Sequence, residues 1–220
     1  MLLSMAAGSA DAAGYLGLGK VFTANMSGNV VLLGIAVSEG RNEDTWRTLF
    51  ALLAFIAGTC LGGWLCRGVT KKEQWTTQIT AVIACEAVLL LIHAICSACI
   101  APDQRALFVY PFIALLGLSM GLQGSAAAHL GIPGVVTTVV TGTLTNLFTG
   151  IMKIFDAPAR AASGNEKPGP PLGLQALVVV AYCGGAAISG LLMLHARPWA
   201  GFFPALIVLS VILTRLGRRD

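Results

Sequence analysis

The chain has 220 residues, of which 56% are hydrophobic and 11% charged, with a mean hydropathy of +0.79 and a formal net charge of +4. A soluble domain carries roughly a quarter of its residues as charged side chains, so this composition excludes one and describes an integral membrane protein embedded in a lipid bilayer. The basic residues are scattered over short loops, which excludes the concentrated patch of a nucleic-acid binder.

A lipid-exposed span takes roughly 20 apolar residues, and six hydrophobic units reach that length, at about 2–38, 46–66, 75–100, 106–152, 173–195 and 199–216. The first opens MLLSMAAGSA, as a cleaved signal peptide could. No basic region precedes it, and the fourth unit repeats its pattern, so it is read as structure. Within it, FTANMSGN (Phe22–Asn29) follows the glycine-rich GLGK and sets polar residues where lipid is expected. The second unit contains TCLGG and the fifth AISG, small-residue runs that let helix backbones approach closely. The third carries Glu86 in an apolar run and ends on Cys96 and Cys99. That C-x-x-C has no second cysteine pair or histidine pair near it, so the cysteines read as small buried hydrophobes and neither a metal nor a cofactor is expected. The fourth unit breaks at GIPG, after His129, and resumes as VTTVVTGT. The loop Phe155–Pro171 is rich in Pro and Gly.

The first and fourth units align without a gap. An offset of 114 places Ala12–Leu33 on Ala126–Leu147, with Ala12, Ala13, Leu16, Gly17, Val21, Thr23, Gly28 and Leu33 on identical partners. A second match, at an offset of 127, sets AFIAGTCLGGWL from Ala54 on AYCGGAAISGLL from Ala181. The chain therefore reads as one all-α membrane domain of two repeats, 1–100 and 101–220, each of three units with the first broken at Gly or Pro. Three crossings per half invert the second repeat, a frequent plan among secondary transporters. The alternative is four crossings per half in a parallel repeat.

Counting six crossings puts Arg67, Lys71, Lys72, Lys153, Arg160, Lys167, Arg215, Arg218 and Arg219 on one face, and Arg41, Arg47, Arg105 and Arg197 on the other. The larger cluster marks the cytoplasmic side, so both termini are expected there, with Lys20 unassigned. A bacterial inner membrane is the expected location.

Backbone groups freed by a break are tolerated in a bilayer only where protein or water satisfies them. A new helix is expected behind each break, capped by Asn25 or Ser27 in the first and by Thr138 or Thr141 in the second. Two such helix starts, converging at the midplane, would offer free N–H groups to a small polar or anionic solute. The candidate binding residues are Asn25, Ser27, Gly28, Asn29, Thr138, Thr141, Gly142 and Thr143. Ionisable residues in a span mark functional sites by default. Asp11, whose repeat partner is Ser125, is the first candidate for ion coupling, with a role capping the freed backbone as the alternative. Glu86 is the second, with Lys20 or His129 as its partner, and His129 is a secondary candidate. The chain has no H-E-x-x-H and no paired intramembrane aspartates, so no enzyme is expected.

The run GSADAAGYLGLGKVFTANMSGNVVLLG (Gly8–Gly34) resembles the opening signature of the YoaK family of small bacterial membrane proteins, a family of unknown function. The resemblance rests on Asp11, Ala12, Leu16, Phe22, Ala24, Asn25, Met26, Gly28 and Asn29 and implies about six spans without naming a substrate. More loosely, VTTVVTGTLTNL (Val136–Leu147) is similar to the broken segments of uracil and sulfate permeases, where a short extended piece leads into a half-helix at the substrate site; this is an analogy of form. The functional expectation is a secondary transporter or channel-like carrier. The alternative is a non-transporting scaffold whose broken helices serve packing, and homo-oligomerisation is left open.

Overall fold

A computed structural model describes residues 1–68, 75–101, 104–131, 140–155 and 171–217. Their regular elements are helical: α1 (Leu2–Gly17), α2 (Met26–Ser38), α3 (Asn42–Leu65), α4 (Thr77–Cys99), a 3-10 turn (Arg105–Phe108) leading into α5 (Val109–Leu130), α6 (Val140–Phe155), α7 (Leu172–His195), the single turn α8 (Arg197–Ala200) and α9 (Phe202–Leu216). Five stretches among them are long and apolar enough to cross a membrane: α3, α4, α5 with its 3-10 entry, α7, and α8 with α9.

Helix boundaries follow local chemistry. Unit one is split into α1 and α2, because Gly19 and Lys20 both take positive φ, at 87° and 61°, and turn the chain out of the helix. Unit four is split as well, with α5 closed by Gly131 in the left-handed conformation. The second break, with Thr138, lies outside the described residues.

α1 and α5 form the centre. α1 packs on α7 and α9, while α5 packs on α3 and α4. Large apolar side chains on the outer helices, such as Val30 and Val31 of α2, Leu53 and Ile56 of α3 and Val180 and Leu191 of α7, face outward, as lipid contact requires. The cysteines depart from expectation, since only Cys66 is buried and Cys60, Cys85, Cys99 and Cys183 are exposed. They sit at positions where the bundle presents an apolar surface outward, so a thiol at such a site needs no burial.

Two helix crossings are tight enough to require glycine. A Cβ added at Gly8 would lie 2.1 Å from the Tyr182 carbonyl oxygen, and one at Gly185 would lie 2.0 Å from that of Met5. At the other crossing, a Cβ at Gly121 would lie 2.3 Å from the Phe55 carbonyl oxygen and one at Gly58 2.2 Å from that of Leu118. Contacts further along fix the directions. Gly17 meets Met193, so α1 and α7 run the same way, and Gly62 meets Ser125, so α3 and α5 do too. At one end of the bundle the Arg215 guanidinium of α9 lies 4.7 Å from the centre of the Trp75 ring, just before α4.

Candidate functional site

The break between α1 and α2 is built around one carboxylate. Asp11, buried in α1, accepts hydrogen bonds at Oδ1 from the backbone N–H of Thr23 at 2.7 Å and Ala24 at 2.6 Å, and at Oδ2 from Asn25 N–H at 3.1 Å. The Tyr182 hydroxyl of α7 donates to Oδ2. Three successive backbone N–H groups therefore form a nest, and Asp11 fills it.

The other polar residues of FTANMSGN also serve the backbone. Asn29, fully buried, donates from Nδ2 to the Phe22 carbonyl at 2.7 Å and accepts at Oδ1 from Phe22 N–H at 2.8 Å. Asn25 is the N-cap of α2, its side chain accepting from Gly28 N–H at 3.4 Å, and the exposed Ser27 hydroxyl donates to the same oxygen at 2.9 Å. Gly28 lies against the Phe22 ring, which a Cβ would approach to 2.9 Å. The N–H groups of Phe22, Thr23, Ala24, Asn25 and Gly28 each find a partner within the chain, which is what a bilayer demands of an interrupted helix.

The geometry differs from the expected shared cavity. The start of α2 is drawn onto α1 by Asp11, and α2 then packs on α3; α6 packs on α7, and the two short helices share no substantial interface. Thr141 is exposed, Gly142 has open space where a Cβ would stand, and Thr143 is buried with no partner for its hydroxyl among the described residues. The structure thus brings Asp11, Asn25 and Asn29 together at one break without bringing them to Thr141, Gly142 and Thr143.

Glu86 is fully buried in α4, and neither carboxylate oxygen has a partner among the described residues. Neither expected partner serves it. Lys20 is exposed at the break, beside Gly19, which meets the Arg47 side chain. The His129 Nδ1 is engaged with the Ser125 carbonyl one turn back at 2.8 Å.

Three further polar features escape the sequence reading. Tyr182 meets Asp11, and a signal for it exists: the 127-residue offset pairs Tyr182 with Phe55, just as the 114-residue offset pairs Asp11 with Ser125. Both are polar departures between the matched segments, among others such as Asn25 on Val139 and Thr59 on Ala186, and these two bond to each other. Gln123 is buried and donates to the Leu3 carbonyl at 2.9 Å, tying α5 to the start of α1. The stretch GLSMG at 117–121 has the G-x-S-x-G spacing of a hydrolase nucleophile. Here it lies within α5, where the Ser119 hydroxyl donates to the Leu116 carbonyl at 2.8 Å and both glycines face α3. A strand-to-helix elbow, which that chemistry uses, is replaced by continuous helix.

Comparison with known proteins accords with this architecture. No solved structure matches the chain. The "UPF0700 transmembrane protein YoaK" of Bacillus subtilis (strain 168) is 34% identical over 214 residues, covering 97% of this chain and 91% of that protein. The family model described as "Protein of unknown function (DUF1275)" matches residues 1–214. With both the transmembrane relative and the family model spanning nearly its whole length, the chain belongs to the DUF1275 family of YoaK-like transmembrane proteins.

Proposed function

We propose that the protein is a secondary transporter of a small polar or anionic solute, built from two inverted three-segment repeats, 1–100 and 101–220. The observation that supports this most directly is the correspondence of the two tight crossings. Tyr182 and Gly185 follow Phe55 and Gly58 by 127 residues, and Gly121 and Leu118 follow Gly8 and Met5 by 113, one less than the offset of the sequence match. The first helix of each half thus crosses the second long helix of the other half at corresponding residues. α1 and α7 run one way and α3 and α5 the other, which suits repeats of opposite orientation.

On this reading α1, though only about 24 Å long, crosses the membrane, and the first broken unit crosses once, because Gly19 lies beside Arg47 near the start of α3. Lys20 then joins the face with Arg41, Arg47, Arg105 and Arg197. The basic residues divide nine to five, which keeps both termini on the cytoplasmic side of a bacterial inner membrane. The solute site lies along the interrupted segments, with Asp11 and Glu86 as coupling groups.

One observation favours a non-transporting scaffold instead: at the first break Asp11, Asn25 and Asn29 bond to the chain itself. Proteoliposomes decide between the two. Purified protein would be challenged with small carboxylates, phosphate, nucleobases and amino acids under a proton or sodium gradient, and Ser27→Cys and Thr141→Cys variants, made in a background with the six native cysteines replaced by alanine, treated with a membrane-impermeant thiol reagent. Gradient-driven uptake with both cysteines labelled supports transport. No uptake, with both cysteines protected, would leave the scaffold.

A further inference from the structure

At the end of the bundle opposite Arg215, Arg105 and Arg197 stand in the wall of a half-open, largely apolar cavity of about 50 Å³. Its walls come from the end of α1 at Gly17, the end of α4 at His93 and Ser97, the entry to α5 at Arg105, and α8 at Arg197. No interaction described for the first break uses these polar residues.

Arginines on the same side of the chain show what is unusual. Arg41 pairs with Glu39 at 2.6 Å and also with Asp44, while Arg47 pairs with Glu43 at 2.9 Å. Arg105 and Arg197 have no ion pair among the described residues. Arg105 is half-buried; its Nη2 reaches the Ser97 carbonyl at 3.5 Å, and its enclosed Nε has no partner among the described residues. Arg197 is exposed. Deeper in, His93 is only 6% exposed, with its ring edge against Phe112 at 5.2 Å between centroids. Its Nδ1 is buried without a partner among the described residues. His93 lies only two turns before the end of α4, yet the packing of α8 and α5 over that end buries it.

Enclosed donors without acceptors are costly in an apolar setting, and a planar guanidinium matches the oxygens of a carboxylate or phosphate. The size of the cavity sets the scale of the occupant. One water needs roughly 10–15 Å³ of such space, so room exists for only a few non-hydrogen atoms. We propose that this cavity binds a small oxyanion, a carboxylate or phosphate group, held between Arg105 and Arg197 with His93 donating from its floor. The group belongs to a free anion or to the headgroup of an anionic lipid. The proposal does not rest on the transport reading.

The test uses the full chain, purified in detergent and stripped of lipid. Acetate and inorganic phosphate are titrated while unfolding temperature and binding heat are followed, and phosphatidylglycerol retention is measured by native mass spectrometry. Because the obvious charge deletion at half-buried Arg105 can impair folding, Arg197→Gln at the mouth and His93→Phe, which preserves the ring contact, are tested beside Arg105→Gln. Arg41→Gln is the control. Saturable binding of a free anion, weakened at least tenfold by Arg197→Gln and Arg105→Gln but unchanged by Arg41→Gln, assigns the site to a free anion. Arginine-dependent retention of phosphatidylglycerol without free-anion binding assigns it to a lipid headgroup. If neither probe binds, or if Arg41→Gln weakens binding as much as Arg197→Gln, the proposal is overturned.

Discussion

Removing the Asp11 carboxylate tests the account of the break most sharply. In Asp11→Ala, the N–H groups of Thr23, Ala24 and Asn25 and the Tyr182 hydroxyl all lose their acceptor. Each orphaned buried donor costs about 1–3 kcal/mol, for a total of roughly 4–12 kcal/mol against a typical net stability of about 5–15 kcal/mol. Little folded Asp11→Ala protein should accumulate. Asp11→Asn is milder. Its amide oxygen can keep the Thr23 and Ala24 bonds made by Oδ1, and the Tyr182 hydroxyl can turn to accept from the new NH₂ group, but Asn25 N–H, shared between Oδ2 at 3.1 Å and Oδ1 at 3.3 Å, keeps only the longer bond. One weakened bond and the loss of charge assistance cost roughly 1–3 kcal/mol, a fall of roughly 2–12 °C in Tm for a chain of this size. Tyr182→Phe removes one bond to a charged group, about 1.5–3 kcal/mol. The double variant should cost less than the sum of the two, because both substitutions break the same contact. Unfolding in detergent, followed by tryptophan fluorescence and circular dichroism, measures all four proteins. An Asp11→Ala protein that expresses normally and melts within 2 °C of the parent (roughly 0.5–1 kcal/mol) would refute the nest as the support of the break.

Asn29→Leu should lower stability by roughly 2–6 kcal/mol, since both backbone groups of Phe22 lose their partner, whereas Ser27→Ala on the exposed surface should stay within about 0.5 kcal/mol; the same melts compare them. Gly185→Val must push α1 away from α7, because its Cβ would stand 2.0 Å from a backbone oxygen, and a loss of more than about 3 kcal/mol is expected. Gly34→Ala, with no atom within 4 Å of the new methyl group, should instead gain about 0.5–1 kcal/mol through helix propensity, and equal melting of the two variants would contradict the crossing.

Hydropathy by itself determined the membrane class and the positions of the long helices, because burying roughly 20 apolar residues per span is a local requirement that any bilayer imposes. It also located the first break, since Gly19 and the polar run after it cannot continue an apolar helix, and it offered both readings of Asp11. Choosing among the polar residues required the tertiary structure. Whether Asp11 faces solute or backbone depends on where the chain folds back after Lys20, and only the return of residues 23–25 onto α1 puts three N–H groups around its carboxylate. The same holds for the two helix starts. Similar sequences suggested a common cavity, but helices settle where their side chains pack, and α2 leans on α3 while α6 leans on α7. His93 and Arg105 lie on successive helices, Arg197 is distant from both in sequence, and all three are unremarkable one by one. They line one pocket only because the ends of α1, α4 and α7 meet the starts of α5 and α8 at one end of the bundle, and long-range packing of that kind leaves no periodic trace in a single chain.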